Sequence, residues 1–247
     1  MSEDLTPYRI EPIALSNEST VVAEFLPDRV RETAYQSEAE LERAFIKQLQ
    51  LQAYEYLPIT SEADLTTNLR RQLERINRID FSDAEWDRFF STCIAGANDG
   101  IMEKTTRIQE DHIQVLKRDN GTVKNIYLID KQQIHNNSLQ VINQYEAEGS
   151  RANRYDVTVL VNGLPMVHLE LKRRGVDIRE AFNQINRYQR DSFWAGSGLF
   201  EYVQLFVISN GTLTKYYSNT VRDGHLAEQR SKRLTFLACP PGSTTYT

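Results

Sequence analysis

A chain of 247 residues with a net charge of −5 and 40% hydrophobic side chains is long enough for one large domain or two small ones, and apolar enough to bury a core. The acidic balance argues against wholesale non-specific nucleic-acid binding but leaves room for a local basic groove. Its cysteines, Cys93 and Cys239, supply neither a disulfide framework nor a C-x-x-C motif, no apolar run reaches membrane-spanning length, and the polar start MSEDLTPYRIEP is unlike a secretory signal, so the expectation is a protein of the reducing cytoplasm without a membrane partner.

Residues 1–36 read as irregular chain with one or two short edge strands, such as Ser19–Phe25, anchored by Tyr8, Val21, Val22 and Phe25. Ser37-Glu38-Ala39-Glu40 has the form of a capping box and opens a helix to about Gln52. Leu41, Phe45, Leu49 and Gln52 trace its apolar stripe with Ala44 beside them, and Glu38 and Glu42 lie one turn apart on a neighbouring face. Ser61 opens a second helix with Leu65, Leu69, Leu73 and Ile76 inward and Arg70, Arg71, Glu74 and Arg75 toward solvent. Ser82 opens a third, packing Trp86, Phe89 and Phe90 and ending by Gly96–Gly100. From Ile101 onward the pattern reads as sheet, with strands at Lys124–Lys131 and Gln140–Tyr145; the latter pairs with the former or with the hairpin that follows.

That hairpin is the centre of the chain: RYDVTVLVNGLPMVHLELK, residues 154–172. Strands Tyr155–Val161 and Pro165–Leu171 flank Asn162-Gly163, a strong hairpin signal. Alternation places Asp156, Thr158 and Leu160 on one face of the first strand, and Met166, His168, Glu170 and Lys172 on one face of the second. A plain two-residue turn would set Asp156 against Leu169, leaving the acids on opposite faces. A three-residue loop, or a two-residue turn followed by a bulge, sets Asp156 against Glu170. One of these is expected, because a lone carboxylate in an apolar sheet face is costly. Two carboxylates meeting there call for a cation, and a hard divalent ion with oxygen ligands suits them. Lys172 then lies within reach of the ion's water shell. The plain alternative is a polar rim on a half-exposed hairpin.

A helix is expected from about Asp177 to Asp191. At about 100° per residue, Ile178, Ala181, Phe182 and Ile185 form its apolar face, Arg187 and Arg190 lie outside, and Gln184 and Tyr188 share a stripe at the boundary, where a groove would be. Tyr202–Ser209 reads as a strand buried on both faces, Asn210-Gly211 turns the chain, and Thr214–Ser218 returns it. Trp194, beside Gly196 and Gly198, is placed in a loop. Beyond Arg222 the chain is polar.

This order of a helix with an acid, a strand, a strand with Asp, a strand with E-x-K, a helix and a strand resembles the PD-(D/E)XK nuclease core. Gln184–Tyr188 resembles the Q-x-x-x-Y motif of RecB-like nucleases, and SEAELE (37–42) their acidic first helix. NRYDVTVLVNGLPMVHLELKRRG, REAFNQINRY and YVQLFVISNGT are similar to the N-terminal nuclease domain of the R subunit of type I restriction-modification enzymes. The resemblance implies an α/β fold with a central mixed sheet flanked by helices and extra N-terminal helices. It divides the chain into an extension (1–36), a nuclease domain (37–220, with a helical insert at about 60–100) and a tail (221–247) leading toward a motor domain.

The same resemblance implies site roles. Asp156 and Glu170 would ligate Mg²⁺, with Mn²⁺ able to substitute, and Lys172 would orient the attacking water. Glu42 would be the upstream helix acid, preferred to Glu38 because Phe45, Ile46 and Leu49 follow it as in related nucleases. Gln184 and Tyr188 would position DNA and steady the lysine, and the basic cluster of Lys172, Arg173, Arg174, Arg179, Arg187 and Arg190 would contact phosphates of double-stranded DNA. Methyltransferase and specificity subunits are the implied partners. No G-x-x-x-x-G-K-[ST] loop occurs, so ATP would bind only through a motor outside these residues, and this chain alone is expected neither to hydrolyse ATP nor to translocate DNA. A rival reading keeps the fold as a silent docking module, which the intact Asp156, Glu170 and Lys172 disfavour. A zinc-deaminase reading of His168-Leu169-Glu170 needs a P-C-x-x-C that the sequence lacks. His112, His135 and His225 have no metal-ligand spacing and read as surface residues.

Overall fold

The computed structural model describes residues 10–15, 21–25, 37–147 and 153–219, the first two segments as backbone. The expectations for Tyr8, for the side chains of Val21, Val22 and Phe25, and for the chain from 220 onward, His225 included, lie outside them. Residues 1–36 make a unit of their own, in which β1 (Ile10–Leu15) pairs antiparallel with β2 (Val21–Phe25), with a register shift between Pro12 and Ala14. Two strands agree with the one or two expected, the named Ser19–Phe25 corresponding to the second.

In the second unit, α1 (Glu38–Leu51) begins at the expected capping box, with Ser37 accepting from the Glu40 N–H and the Glu40 carboxylate accepting from the Ser37 N–H. Its buried stripe is Glu42, Ile46 and Leu49 with Leu41 and Phe45 beside it; Ala44 and Gln52 are exposed, so the inward face is rotated from the one expected. A two-residue strand β3 (Glu55–Tyr56) follows, then α2 (Glu62–Asn77) and α3 (Asp83–Phe89), which continues as a π turn over Phe90–Ile94. Leu65, Leu69 and Leu73 are fully buried, as the periodicity required.

Where sheet was expected from Ile101, the chain forms α4 (Ile101–Gln109). Its inward side carries Lys104 and Thr105 beside Ile108, and Lys104 is buried against Glu201 at 2.8 Å. A helix whose core face holds a lysine and a threonine leaves no apolar period to read. Next come β4 (Ile113–Lys117), which was not anticipated, and β5 (Val123–Tyr127), shorter than the expected Lys124–Lys131; they form a separate antiparallel ribbon.

The main sheet is built by β6 (Leu139–Ala147), β7 (Asn153–Val161), β8 (Leu164–Leu171), α5 (Ile178–Asp191), β9 (Leu205–Ser209) and β10 (Thr214–Ser218), in the strand order β10-β9-β8-β7-β6-β3. β8–β9 and β3–β6 are parallel and the other pairs antiparallel, so the sheet is mixed, and β6 pairs with the hairpin rather than with β5. Helices flank both faces. Ile142, Leu160, Phe206 and Ile208 pack with residues of α2, α3 and α5, while Val141, Val157, Val159, Leu169 and Leu171 pack against α1. β9 is fully buried on the first face only, through Phe206 and Ile208.

Candidate active site

The β7–β8 turn is a two-residue turn with positive φ at both Asn162 (51°) and Gly163 (84°), pairing Val161 with Leu164. The turn is not a surface feature. Asn162 is buried, its amide donating to the Leu128 carbonyl and its Oδ1 accepting from the Ser138 N–H at 2.8 Å. The register then shifts. Leu160 pairs with Pro165 but Val159 pairs with Val167, leaving Met166 as the extra residue of a bulge. Of the two geometries able to bring the acids together, the structure adopts the turn with a bulge. Continued past Val157–Leu169, this register sets Asp156 opposite Glu170.

A second irregularity lies at Asp156. Gln144 of β6, between the pairs Asn143–Val157 and Tyr145–Tyr155, has φ 54°, a strained conformation for a residue with a side chain. Alternation breaks here in both strands. Val157 and Val159 pack toward α1, yet Tyr155 joins the core on the α5 side, as does its stacked neighbour Tyr145 at 5.9 Å. Glu42 secures this kink from α1, its carboxylate accepting from the side-chain amides of Asn143 and Gln144.

The functional groups then converge. Asp156 Oδ2 accepts from the Leu171 N–H at 2.9 Å, Lys172 Nζ donates to Glu170 Oε1 at 3.1 Å, and Glu170 is wholly buried. The two carboxyl groups lie close enough for each to act on the other's proton. Burial, and then the charge of Glu170, pushes the Asp156 carboxyl up to about 7. Burial likewise raises Glu170 to about 7, against the pull of Lys172. Burial works against the Lys172 ammonium, but Glu170 and Asp156 outweigh it and hold its pKa above the ordinary lysine range. Two carboxylic acids held near neutrality beside an ammonium are a site short of positive charge.

Glu38 accepts from the Arg173 N–H at 3.3 Å, and its charge acts on both Glu170 and Lys172. The sequence sets Glu38 second to Glu42 as the upstream helix acid and places His168 on the Glu170 face without assigning it a role. His168 is fully buried, with Nδ1 3.3 Å from Thr158 Oγ1 and Nε2 3.7 Å from Glu170 Oε2. Burial pushes its imidazole down to about 4, so it is neutral.

On α5, capped by Asp177, Gln184 is half-buried, but Tyr188 is only 1% exposed. The boundary expected for Tyr188 is therefore a core position. Its ring packs on Tyr155 at 4.7 Å, because β7 turns that tyrosine toward α5. Only its hydroxyl remains polar in use, accepting from Gln184 Nε2 and donating to the Arg154 carbonyl at 2.8 Å. Burial, and next the charge of Glu170, raises that phenol to about 12. Of the basic cluster, Arg173, Arg179, Arg187 and Arg190 are exposed and Arg174 is half-buried. Arg187 lies over the Tyr188 ring and Arg190 pairs with Asp191 at 2.8 Å. His135 is exposed and His112 half-buried. Among the described residues no helix is long and apolar enough to cross a membrane.

Comparison with known proteins identifies the family of the chain. Residues 35–225 match the family model described as the type I restriction enzyme R protein N terminus. The chain is 48% identical over 213 residues to the endonuclease subunit of the type I restriction enzyme EcoprrI of Escherichia coli, covering 86% of this chain and 68% of that one. It is 41% identical over 197 residues to a type I restriction enzyme endonuclease subunit of Staphylococcus saprophyticus, covering 78% of this chain but 20% of the relative. A match to the HindI endonuclease subunit of Haemophilus influenzae spans 116 residues at 30% identity, 11% of that protein. The chain thus corresponds to about a fifth of the staphylococcal subunit's length. With its mixed sheet, its flanking helices and this match over most of its length, the chain belongs to the family of type I restriction enzyme R protein N termini.

Proposed function

We propose that this chain is a metal-dependent endonuclease domain that hydrolyses phosphodiester bonds of double-stranded DNA within a type I restriction enzyme. The observation that carries the reading is the meeting of Asp156 and Glu170 at the bulged hairpin, with both carboxyls near neutrality and Lys172 alongside. Glu170 Oε2 has no hydrogen-bond partner although it is buried. That oxygen and the paired acids fit a hard divalent cation, Mg²⁺ with Mn²⁺ as substitute, better than they fit an empty pocket. In this reading Asp156 and Glu170 would be the protein's ligands, with water and phosphate filling the remaining positions, as Mg²⁺ commonly accepts. When bound, the cation supplies a water acidic enough to attack phosphorus near neutral pH and a counter-charge for the phosphate.

The chain's own residues do the rest. Asp156 and Glu170, once deprotonated, would hold the ion. Lys172, kept protonated by its acidic neighbours, acts as a donor rather than a base, orienting the nucleophile or the phosphate. Glu42 is the upstream acid, working through its hold on the β6 kink. Gln184 faces the DNA groove, and Tyr188 steadies it from the core. Arg173, Arg174, Arg187 and Arg190 contact phosphates, which positions the duplex without reading its sequence. Sequence choice then falls to specificity and methyltransferase subunits, ATP is used by a motor outside these residues, and the cytoplasm is the compartment.

Calorimetric titration of the chain with Mn²⁺ tests the reading, together with Mn²⁺-supported nicking of supercoiled plasmid by the assembled restriction complex. The expected result is binding that Asp156→Ala and Glu170→Ala each weaken severely, with nicking abolished in both and in Lys172→Ala. Binding indifferent to both acid substitutions would overturn it.

A further inference from the structure

His168 is an anomaly for a core residue. It is fully buried between the rings of Tyr155, Tyr188, Phe193 and Phe206, an environment that an apolar ring of the same size would fill. Its Nε2 has no hydrogen-bond partner, and neither has Glu170 Oε2, 3.7 Å away. A buried polar atom left unmatched costs about 1–3 kcal/mol, so two such atoms facing one another call for an explanation. The Thr158 hydroxyl, 3.3 Å from Nδ1, can pair with either tautomer, so the ionised Glu170 carboxylate facing Nε2 decides which ring nitrogen carries the proton. If Nδ1–H donated to Thr158, a bare Nε2 lone pair would face the carboxyl. If Thr158 donates to Nδ1, an Nε2–H faces it instead, and that tautomer is the favourable one.

We propose that His168 is a positioning residue for the metal site, a donor backed by Thr158, whose Nε2–H fixes the orientation of the Glu170 carboxylate once Glu170 ligates a divalent ion. The inference rests on the metal-site reading and extends it inward, giving Thr158–His168–Glu170 as a relay running from β7 to the ion. A separation of 3.7 Å lies just beyond hydrogen-bonding range, and such contacts tighten when the site is loaded. Ligating carboxylates are generally held in this way by a donor behind them, and loss of that donor lowers metal affinity about 10- to 100-fold.

The test is a calorimetric Mn²⁺ titration of the whole chain and its variants, with thermal melting in EDTA as the check on folding. His168→Phe keeps the aromatic packing and removes the donor. Its Kd for Mn²⁺ is expected to rise about 10- to 100-fold while its melting temperature in EDTA stays level or rises. His168→Gln returns a donor and is expected to bind more tightly than His168→Phe. A folded His168→Phe with wild-type affinity, or a His168→Gln no better than His168→Phe, overturns the positioning role alone. Wild-type chain that binds no Mn²⁺, or binds it regardless of Glu170→Ala, sinks the metal-site reading and this inference with it. Should His168→Phe fail to fold, Thr158→Val decides: a several-fold weaker Kd supports the relay and an unchanged Kd overturns it.

Discussion

Leu171 is bonded through its main chain to Asp156: its N–H donates to Asp156 Oδ2 at 2.9 Å. Leu171 is the middle residue of Glu-Leu-Lys, so this bond docks the acid of β7 midway between the acid and the ammonium of β8. The donor belongs to the backbone, and no substitution at 171 short of proline removes it. Nor does the bond hold Asp156 ionised. Burial and Glu170 outweigh it, and the carboxyl stays near 7.

Stability without metal should therefore fall as pH rises. Folding raises Asp156 and Glu170 from their ordinary carboxylate values to about 7, so between about pH 4 and 7 the folded chain keeps protons that the unfolded chain has released. The contribution of these two acids is full below that window and is lost as pH climbs through it, by about 1.4 kcal/mol per pH unit for each proton retained, while His168, pushed down from 6.5 to about 4, runs the other way up to about pH 6.5, so the net fall is steepest above that. Glu40, Glu85 and Glu103 are shifted downward, and their contribution is already constant above pH 5. Melting temperatures in EDTA from pH 5 to 8 should decline for the wild type and decline less for Glu170→Gln. Added Mn²⁺ should raise them at pH 8 and barely at pH 5. Parallel wild-type and variant curves would count against the shifts.

Gly163→Ala should destabilise the domain by more than the ~1–2 kcal/mol that the left-handed conformation costs a residue with a Cβ. Its φ is 84°, and a Cβ there would meet Leu69 Cα of α2 at 2.6 Å, a backbone atom that cannot swing aside. The turn, and with it the bulge at Met166, would have to move, so Mn²⁺ affinity should drop as well. Chemical denaturation and titration measure both. An unchanged midpoint would show that the turn is free to shift.

Glu42 and Glu38 should separate by readout. Glu42→Gln loses charge-assisted bonds to Asn143 and Gln144, contacts worth about 1.5–3 kcal/mol each, and should lower the melting point sharply. Glu38→Gln lies at the exposed start of α1 and should leave melting nearly unchanged while altering Mn²⁺ affinity, because its charge reaches Glu170. A stable Glu42→Gln that binds Mn²⁺ poorly would move Glu42 from strap to ligand.

Tyr188→Phe keeps the ring among its aromatic neighbours and strands both Gln184 Nε2 and the Arg154 carbonyl. A loss of about 1–3 kcal/mol is expected, with nicking by the assembled complex reduced further than the shift in melting explains. Normal specific activity would confine Tyr188 to packing.

Much of this chain is decided by neighbours in sequence. Ser37, Ser82 and Asp177 cap helices where their side chains can reach the next exposed N–H groups, and Asn162-Gly163 turns because both residues tolerate positive φ. Alternation puts His168 and Glu170 on one side of β8 and Leu169 and Leu171 on the other. Other features depend on partners far along the chain. A bulge at Met166 rather than a three-residue loop brings Asp156 to Glu170, the kink at Gln144 turns Tyr155 toward α5, and Tyr155 then draws Tyr188 into the core. α4 can turn Lys104 inward because its ammonium meets Glu201, 97 residues away. The residues of the site could be read from type and spacing. Their protonation was set by the depth of burial, which only the folded sheet and its helices determine.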